Sequence, residues 1–528
     1  MTSNTRRTFR FPRLLKLSTL AFAAALATGC ASVDPDVLSK AAMEETNALD
    51  TSAIRKDVDP ITAPLTLDEA IARALKYNLD RRTKLMEEAM ALGQLDVTKF
   101  DMLPKLLAQA GYMWRDTDRI SYSADSSTLT RSTSTPFISQ ERVHTLRELN
   151  LTWSMVDYGM GYYSARQQAN RFLIAGEKRR KAMHLLVQDV KTAYWRAASA
   201  QLLRDDVMKT IRIADEALDD ARKTETERLR SPIEPLRYQR QLLENVRLLE
   251  SIQQELSTAM VDLASLINAP IGTAIQIAQT DLKNVSAQAI DVPLPKLEEI
   301  ALQQNADLRE QHYNARIARD ETRRTLVRLF PNLSFNYGVK YDTDSYLVHQ
   351  NWREAGVQLS FNLVNLFTGP TQIKLAEAGV SLADQRRMAM QLGVITQVHL
   401  ARLQLINARA QFERAEAIYD TDNKIASLMR ARQQVQAQSK LDVVSNETAA
   451  ILSLLRRYQA LAQVQTAENR LVATLGLEPS IGSTGELSLA TLTEQVSKSA
   501  VNWATLKDYV PQPIPVVTST DSKPASDK

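Results

Sequence analysis

The sequence predicts a mainly α chain with transmembrane β-strands, in which one helix-strand-strand-helix-helix unit occurs twice. Three observations lead there. Landmarks recur in the same order in the two halves, the hydrophobic period changes at matching places in each, and long stretches contain no proline. Aromatic residues make up only 6% of the 528 positions while 44% are hydrophobic, many of them Ala and Leu, a mixture that suits long helices with narrow apolar seams. The 65 basic and 61 acidic side chains leave a net charge of +4, too weak a field to point to nucleic acid as partner.

Residues 1–29 read as a signal peptide. Arg6, Arg7, Arg10, Arg13 and Lys16 form a positive n-region, and Leu17 to Ala27 form an apolar h-region too short for a transmembrane helix. The Arg6-Arg7 pair with Phe9 resembles a twin-arginine signal, although ordinary n-region charges are the simpler reading. The segment ends Leu26-Ala27-Thr28-Gly29-Cys30, and Cys30 is the only cysteine, so no intramolecular disulfide is available to explain it. This ending resembles the lipobox of bacterial lipoproteins, with Ala27 where that motif usually has Leu. The resemblance implies that Cys30 is acylated, and Ala31 in place of Asp implies sorting to the outer membrane. Residues 30–60 are then a polar linker behind the lipid.

The first copy spans residues 61–280 and the second 290–480. Leu67-Asp68-Glu69-Ala70-Ile71 corresponds to Leu297-Glu298-Glu299-Ile300, and the spacing from Asn78 to Pro104 equals that from Asn305 to Pro331. Further on, Leu151-Thr152-Trp153-Ser154 aligns with Leu359-Ser360-Phe361-Asn362, and Ala264-Ser265-Leu266 with Ala473-Thr474-Leu475. Residues 67–101 and 297–329 read as helices that the following prolines stop. Alternation follows at once: Leu106, Ala108, Ala110, Tyr112 and Trp114 in copy one, Leu333, Phe335, Tyr337, Val339 and Tyr341 in copy two. The returning strands alternate too, through Leu149, Leu151, Trp153 and Met155, and through Val357, Leu359, Phe361 and Leu363.

A soluble antiparallel sheet would alternate similarly. These strands, however, match the ~9–11 residues of a membrane crossing and carry flanking aromatics at Trp114, Tyr337, Tyr341 and Trp352. The Ser/Thr-rich stretch from Thr117 to Glu141 reads as an exposed loop. Beyond each hairpin the chain turns helical, with no proline between Pro136 and Pro232 or between Pro370 and Pro479. After Pro235, Leu242, Leu249, Leu256 and Leu263 recur every seven residues, with Val246, Met260 and Ile267 in the alternate seam. Four strands per chain cannot close a barrel, whose minimum is about eight, so membrane hairpins would require several chains.

The ordered elements, the Leu-Pro-Lys-Leu and Phe-Pro-Asn-Leu openings of the strands (103–106, 330–333), the Leu-Ser-Phe-Asn-Leu-Val-Asn segment (359–365) and Leu441-Asp442-Val443-Val444 resemble the TolC family of outer-membrane factors over residues 64–480. The resemblance implies a homotrimer with a twelve-stranded β-barrel continuous with a twelve-helix α-barrel. It implies as partners a periplasmic adaptor and an inner-membrane transporter, and as function the exit duct of a tripartite efflux system. It also implies a periplasmic aperture at Glu234 and Asp442, with Arg228, Arg230 and Lys440 as closing salt-bridge partners; Ser445 stands where relatives commonly have a second acid. Solvated helix charges are the plainer reading of those carboxylates.

Neither catalysis nor a cofactor is expected beyond the lipid on Cys30. His144, His184, His312, His349 and His399 lack metal-ligand spacing, and no Gly-rich phosphate loop occurs. Protein secretion is an alternative within the channel class, and a lipid-anchored periplasmic coiled-coil scaffold is the alternative outside it. The resemblance also implies that residues 481–505 pack around the helical barrel, and the composition of 506–528 predicts a disordered tail.

Overall fold

The fold is known from a computed structural model that describes residues 37–122, 127–128, 130, 136–226, 233–270, 272–278, 292–434, 440–477 and 487–499, with 503, 506 and 509. The signal segment and Cys30 lie outside the described residues. The chain divides into two units at Val58. In the first, helix α1 (Lys40–Arg55) starts at Ser39, whose hydroxyl accepts from the Ala42 amide at 3.2 Å, and none of its residues is buried.

The second unit contains the two repeats. Copy one comprises α2 (Leu67–Tyr77), α3 (Leu79–Lys99), β1 (Lys105–Trp114), β2 (Ile120–Ser121), β3 (Phe137–Ile138), β4 (Val143–Ser154), α4 (Met155–Thr226) and α5 (Ile233–Leu266). Copy two comprises α6 (Leu294–Gln304), α7 (Ala306–Leu329), β5 (Asn332–Asp342), β6 (Asn351–Ser360), α8 (Asn365–Gln434) and α9 (Lys440–Leu475), followed by α10 (Leu489–Lys498). α4 has 72 residues and α8 has 70, each about 100 Å at the usual helical rise.

Three boundaries differ from those read off the sequence. The opening helix of each copy is two helices, broken at Asn78 and at Asn305, which have extended backbone (ψ 126° and 127°). Each asparagine caps the next helix, accepting at 3.0 Å from Arg81 N or Leu308 N. Each also donates its side-chain amide to a distant carbonyl, Leu266 O at 3.2 Å and Thr474 O at 2.8 Å. The break therefore satisfies the end of a long helix as well as the start of a short one. Secondly, Met155 opens α4 instead of ending β4, because Ser154 Oγ accepts from Asp157 N at 3.1 Å and starts the helix one residue early. Phe361 and Leu363 likewise fall beyond β6, where Asn362 Oδ1 accepts from Val364 N at 3.1 Å. Thirdly, the loop from Thr117 to Glu141 contains the short β2–β3 ladder, exposed throughout.

The core lies where the short helices α2, α6 and α10 pack on the long ones. Trp195, Tyr194, Tyr77, Leu75, Leu461 and Trp503 are among its buried side chains. Leu506 is buried there too. The leucine heptad is buried in full: Leu242, Leu249, Leu256 and Leu263 are each at most 7% exposed. Gly476 ends α9 with φ +70°, and a Cβ there would come within 2.1 Å of the Gln304 carbonyl oxygen, so only glycine fits. Arg180 joins these two ends, donating to Gly476 O at 2.9 Å and to Gln304 O at 3.3 Å.

Candidate functional site

Strands β1, β4, β5 and β6 form one antiparallel sheet in that order, with β1 and β6 as unpaired edges. Its register sorts the alternation of both copies onto common faces. Leu106 lies opposite Leu151, Leu151 opposite Tyr337, and Tyr337 opposite Ala355. In the row below, Trp153 is opposite Phe335 and Phe335 opposite Val357. The other face is mostly polar: Gln109, Glu148 and Lys340 follow one another across three strands, and Thr152, Asn336 and Gly356 do the same. On that face Lys340 Nζ sits 2.8 Å from Glu354 and 3.8 Å from Glu148. Toward the hairpin end His144 Nδ1 is 2.8 Å from Asp342 Oδ1, tying one copy to the other.

The apolar face is uncovered. Leu106 (65% exposed), Val357 (67%) and Leu359 (70%) have no layer over them, and every residue of β1 is exposed. A sheet in water buries its apolar face; among the described residues nothing covers this one.

The helices that continue the strands keep the same order, α3 beside α4, α4 beside α7, and α7 beside α8. Farther along, α5 lies beside α4, α4 beside α9, and α9 beside α8. This ribbon also has apolar edges. On α3, Leu79, Met86, Met90 and Val97 are exposed, and on α8 Leu375, Leu382, Leu392, Leu403, Ile418 and Leu428 are. Among the described residues no helix is long and apolar enough to cross a membrane.

The expected aperture residues fall at the far ends of the long helices. Asp442 lies in the first turn of α9, half-buried, and its carbonyl accepts from Asn446 Nδ2 at 2.6 Å. Glu234 and Lys440 are placed in α5 and α9, but their side chains lie outside the described residues, as do Arg228 and Arg230. The two helices meet there: Val444 packs with Leu242, and Asn245 Nδ2 donates to Ser445 Oγ at 3.2 Å. Ser445, which stands in place of a second acid, thus links α5 to α9. One ion pair in this region escaped the sequence reading, Arg430 with Glu447 at 2.5 Å between α8 and α9. No motif marks it, because its partners are on different helices. Burial raises the Glu447 carboxyl pKa, and Arg430 opposes that shift.

Residues 297–477 match the family model described as "Outer membrane efflux protein". The matched stretch falls within the second repeat and is about a third of the chain, so this part is similar to the outer membrane efflux proteins. No curated protein matches the chain by sequence. Solved structures of similar fold include the Campylobacter jejuni CmeC outer membrane channel, 12% identical, covering 82% of this chain and 89% of that one with a TM-score of 0.60. CusC is 16% identical over 78% of this chain and 92% of its own, with a TM-score of 0.58. The open state of the Neisseria gonorrhoeae MtrE outer membrane channel is 16% identical over 76% and 88%, with a TM-score of 0.56. At these identities the likeness is one of fold.

One buried group makes the stability of this protein depend on pH. His184, on α4, is 7% exposed and its Nε2 has no hydrogen-bond partner. Burial, with Arg180 nearby, lowers its pKa from 6.5 to about 4. Below pH 6.5 the unfolded chain takes up a proton that the folded chain refuses. The contribution is therefore complete above that pH and is lost as pH falls toward 4, at no more than about 1.4 kcal/mol per pH unit. Urea unfolding of His184→Leu between pH 7 and pH 4.5 is expected to show a shallower loss than the parent; parallel curves would rule the histidine out.

Proposed function

We propose that three copies of this chain close a shared barrel and form the passive exit duct of a tripartite efflux system in the cell outer membrane. The observation that carries this reading is the ribbon with two open edges: a four-stranded sheet, apolar on one face and mostly polar on the other, continued in the same order by helices with apolar edges. Four strands cannot close alone, whereas three copies supply twelve. The same arithmetic gives twelve helices at each level of an α-barrel projecting into the periplasm. An adaptor and an inner-membrane pump deliver small molecules to its lower end, and no residue of this chain supplies energy.

In this reading residues 1–29 are removed, Cys30 carries lipid, and 30–60 tether the duct. Residues 61–280 and 290–480 are its two repeats, 481–505 girdle it, and 506–528 trail as a tail. Rings of Glu234 and Asp442 line the aperture and favour cations, with Arg228, Arg230 and Lys440 as partners in the closed state. The likeness in fold to CmeC and MtrE, each an outer membrane channel, supports the duct.

The test is the oligomeric mass of the detergent-purified protein together with its conductance in planar bilayers. A trimer with discrete, cation-preferring steps is expected. A monomer without conductance would reject the duct. The Glu234→Ala/Asp442→Ala double variant is expected to lose cation preference, and unchanged selectivity would remove the aperture assignment alone.

A further inference from the structure

We infer that the outer side of the helices directly below the sheet binds the phosphate headgroups of anionic phospholipids through Arg166, Arg319 and Arg323, with Arg316 adding to their field. The inference rests on the membrane reading above.

A chain of contacts identifies the outer side. Trp153 and Phe335 stack on the apolar face of the sheet, ring centroids 5.8 Å apart. Tyr158, on the first turn of α4, lies 5.9 Å from Trp153. Tyr162 and Arg166 follow at i+4 spacing along that side of α4, and the Arg166 guanidinium stands 5.8 Å over the Tyr162 ring. Arg166 then reaches Asp320 of α7 at 3.5 Å, and Arg323 reaches the same carboxylate at 3.7 Å. The opposite side of α7 is distinguished by Gln167, which donates to Glu321 at 2.8 Å and to the Ile317 carbonyl at 3.4 Å.

The charge on that outer side is unbalanced. Asp320 is shared by Arg166 and Arg323, and Asp384 by Arg319 at 3.1 Å and Arg387 at 3.5 Å. Among the described residues Arg316 has no ion pair; it stands 5.5 Å over the Tyr313 ring. Arg166, Arg319 and Arg323 nevertheless keep 44%, 52% and 53% of their side chains exposed. The local field acts on His312: burial lowers its pKa first, and Arg387, Arg316, Arg309 and Arg319 lower it further.

The depth suits headgroups. Arg323 and Arg319 precede Phe330 by seven and eleven residues, so their backbones lie roughly 10 and 16 Å below it along the helix. Phe330 and Phe367, 66% and 83% exposed, stand just below the sheet, before β5 and after β6. Arginine stems run along apolar and aromatic surface while the guanidinium reaches upward, which brings it to the polar layer bounding the hydrocarbon. A guanidinium pairs two oxygens of a phosphate, and basic side chains near a surface favour anionic lipid over zwitterionic lipid.

The test uses the full-length protein in detergent, titrated with phosphatidylglycerol or with phosphatidylcholine of the same acyl chains and read by native mass spectrometry. The triple variant Arg316→Gln/Arg319→Gln/Arg323→Gln leaves Arg166 on Asp320 and Arg387 on Asp384, so neither carboxylate is stranded. Phosphatidylglycerol binding is expected to fall about tenfold or more, with phosphatidylcholine unchanged, while the triple Lys variant keeps the preference. Should the triple Gln variant fail to assemble, Arg323→Gln alone is expected to show a smaller loss of the same sign. Equal binding of the two lipids by the parent, or undiminished phosphatidylglycerol binding by the Gln variants, would overturn the inference. Displacement of the lipid by soluble poly-glutamate would assign the patch to an acidic polypeptide and overturn it as well. Bilayer conductance of the same sample separates the two readings: a conducting protein without lipid preference rejects this inference only, and a protein that neither inserts nor conducts rejects the duct.

Discussion

Glu177→Ala is expected to destabilise the fold by about 3–5 kcal/mol, read as a lowered urea midpoint with little change in slope. Glu177 is 4% exposed and serves two cations. One is Arg180, 2% exposed, in direct ion-pair contact, and the other is Arg309 of α7, whose Nε lies 2.6 Å away. Burial, the largest single influence, would lower the Arg309 pKa, but the Glu177 carboxylate and the Tyr313 hydroxyl together offset it and the net shift is upward. Arg180 cannot turn to solvent when its carboxylate is removed, because its other amino group spans the Gly476 and Gln304 carbonyls. The variant therefore withdraws the Glu177 counter-charge from a buried guanidinium, the expensive way to break such a cluster. Glu177→Gln keeps an acceptor and is expected to fall between the two. A loss below about 1 kcal/mol for the alanine variant would mean that water replaces the carboxylate and that the cluster is not what joins α4 to the ends of α6 and α9.

Leu375→Glu with Leu382→Glu is expected to abolish the oligomer and with it all conductance. The two leucines are 75% and 52% exposed and sit one heptad apart on the α8 edge of the ribbon. The other edge, on α3, offers Met86 and Met90, 59% and 74% exposed. Burying a leucine is worth roughly 1.5–3 kcal/mol, so each closure would lose about 3–6 kcal/mol before the cost of desolvating two carboxylates is added. That loss is repeated at every junction of a closed ring. Analytical ultracentrifugation in detergent reads the outcome, and a variant that sediments with the parent would mean that α8 is not the joining edge.

Period and spacing made much of this visible beforehand. Alternation at Leu106 to Trp114 and Leu333 to Tyr341 predicted strands that the sheet contains, because a strand's two faces are determined by residues two apart. The heptad from Leu242 to Leu263 likewise named buried positions in advance. Of the candidate site, Glu234 and Asp442 came from resemblance, and their helices do meet near Val444 and Leu242.

What tertiary structure decided has one physical reason: it depends on pairs far apart in the chain. Asn78 was legible as a repeat landmark but not as a helix break, since its role needs the Leu266 carbonyl 188 residues away. Lys340 looks like any strand lysine until the register sets it between Glu148 and Glu354. The arginines of α7 are plain in the sequence, yet only the route from Phe335 through Trp153 to Tyr158, continued along α4 to Arg166, says which of them look outward. Local periodicity is set by neighbours a few residues away; which cation meets which anion is set by how the two copies are laid side by side.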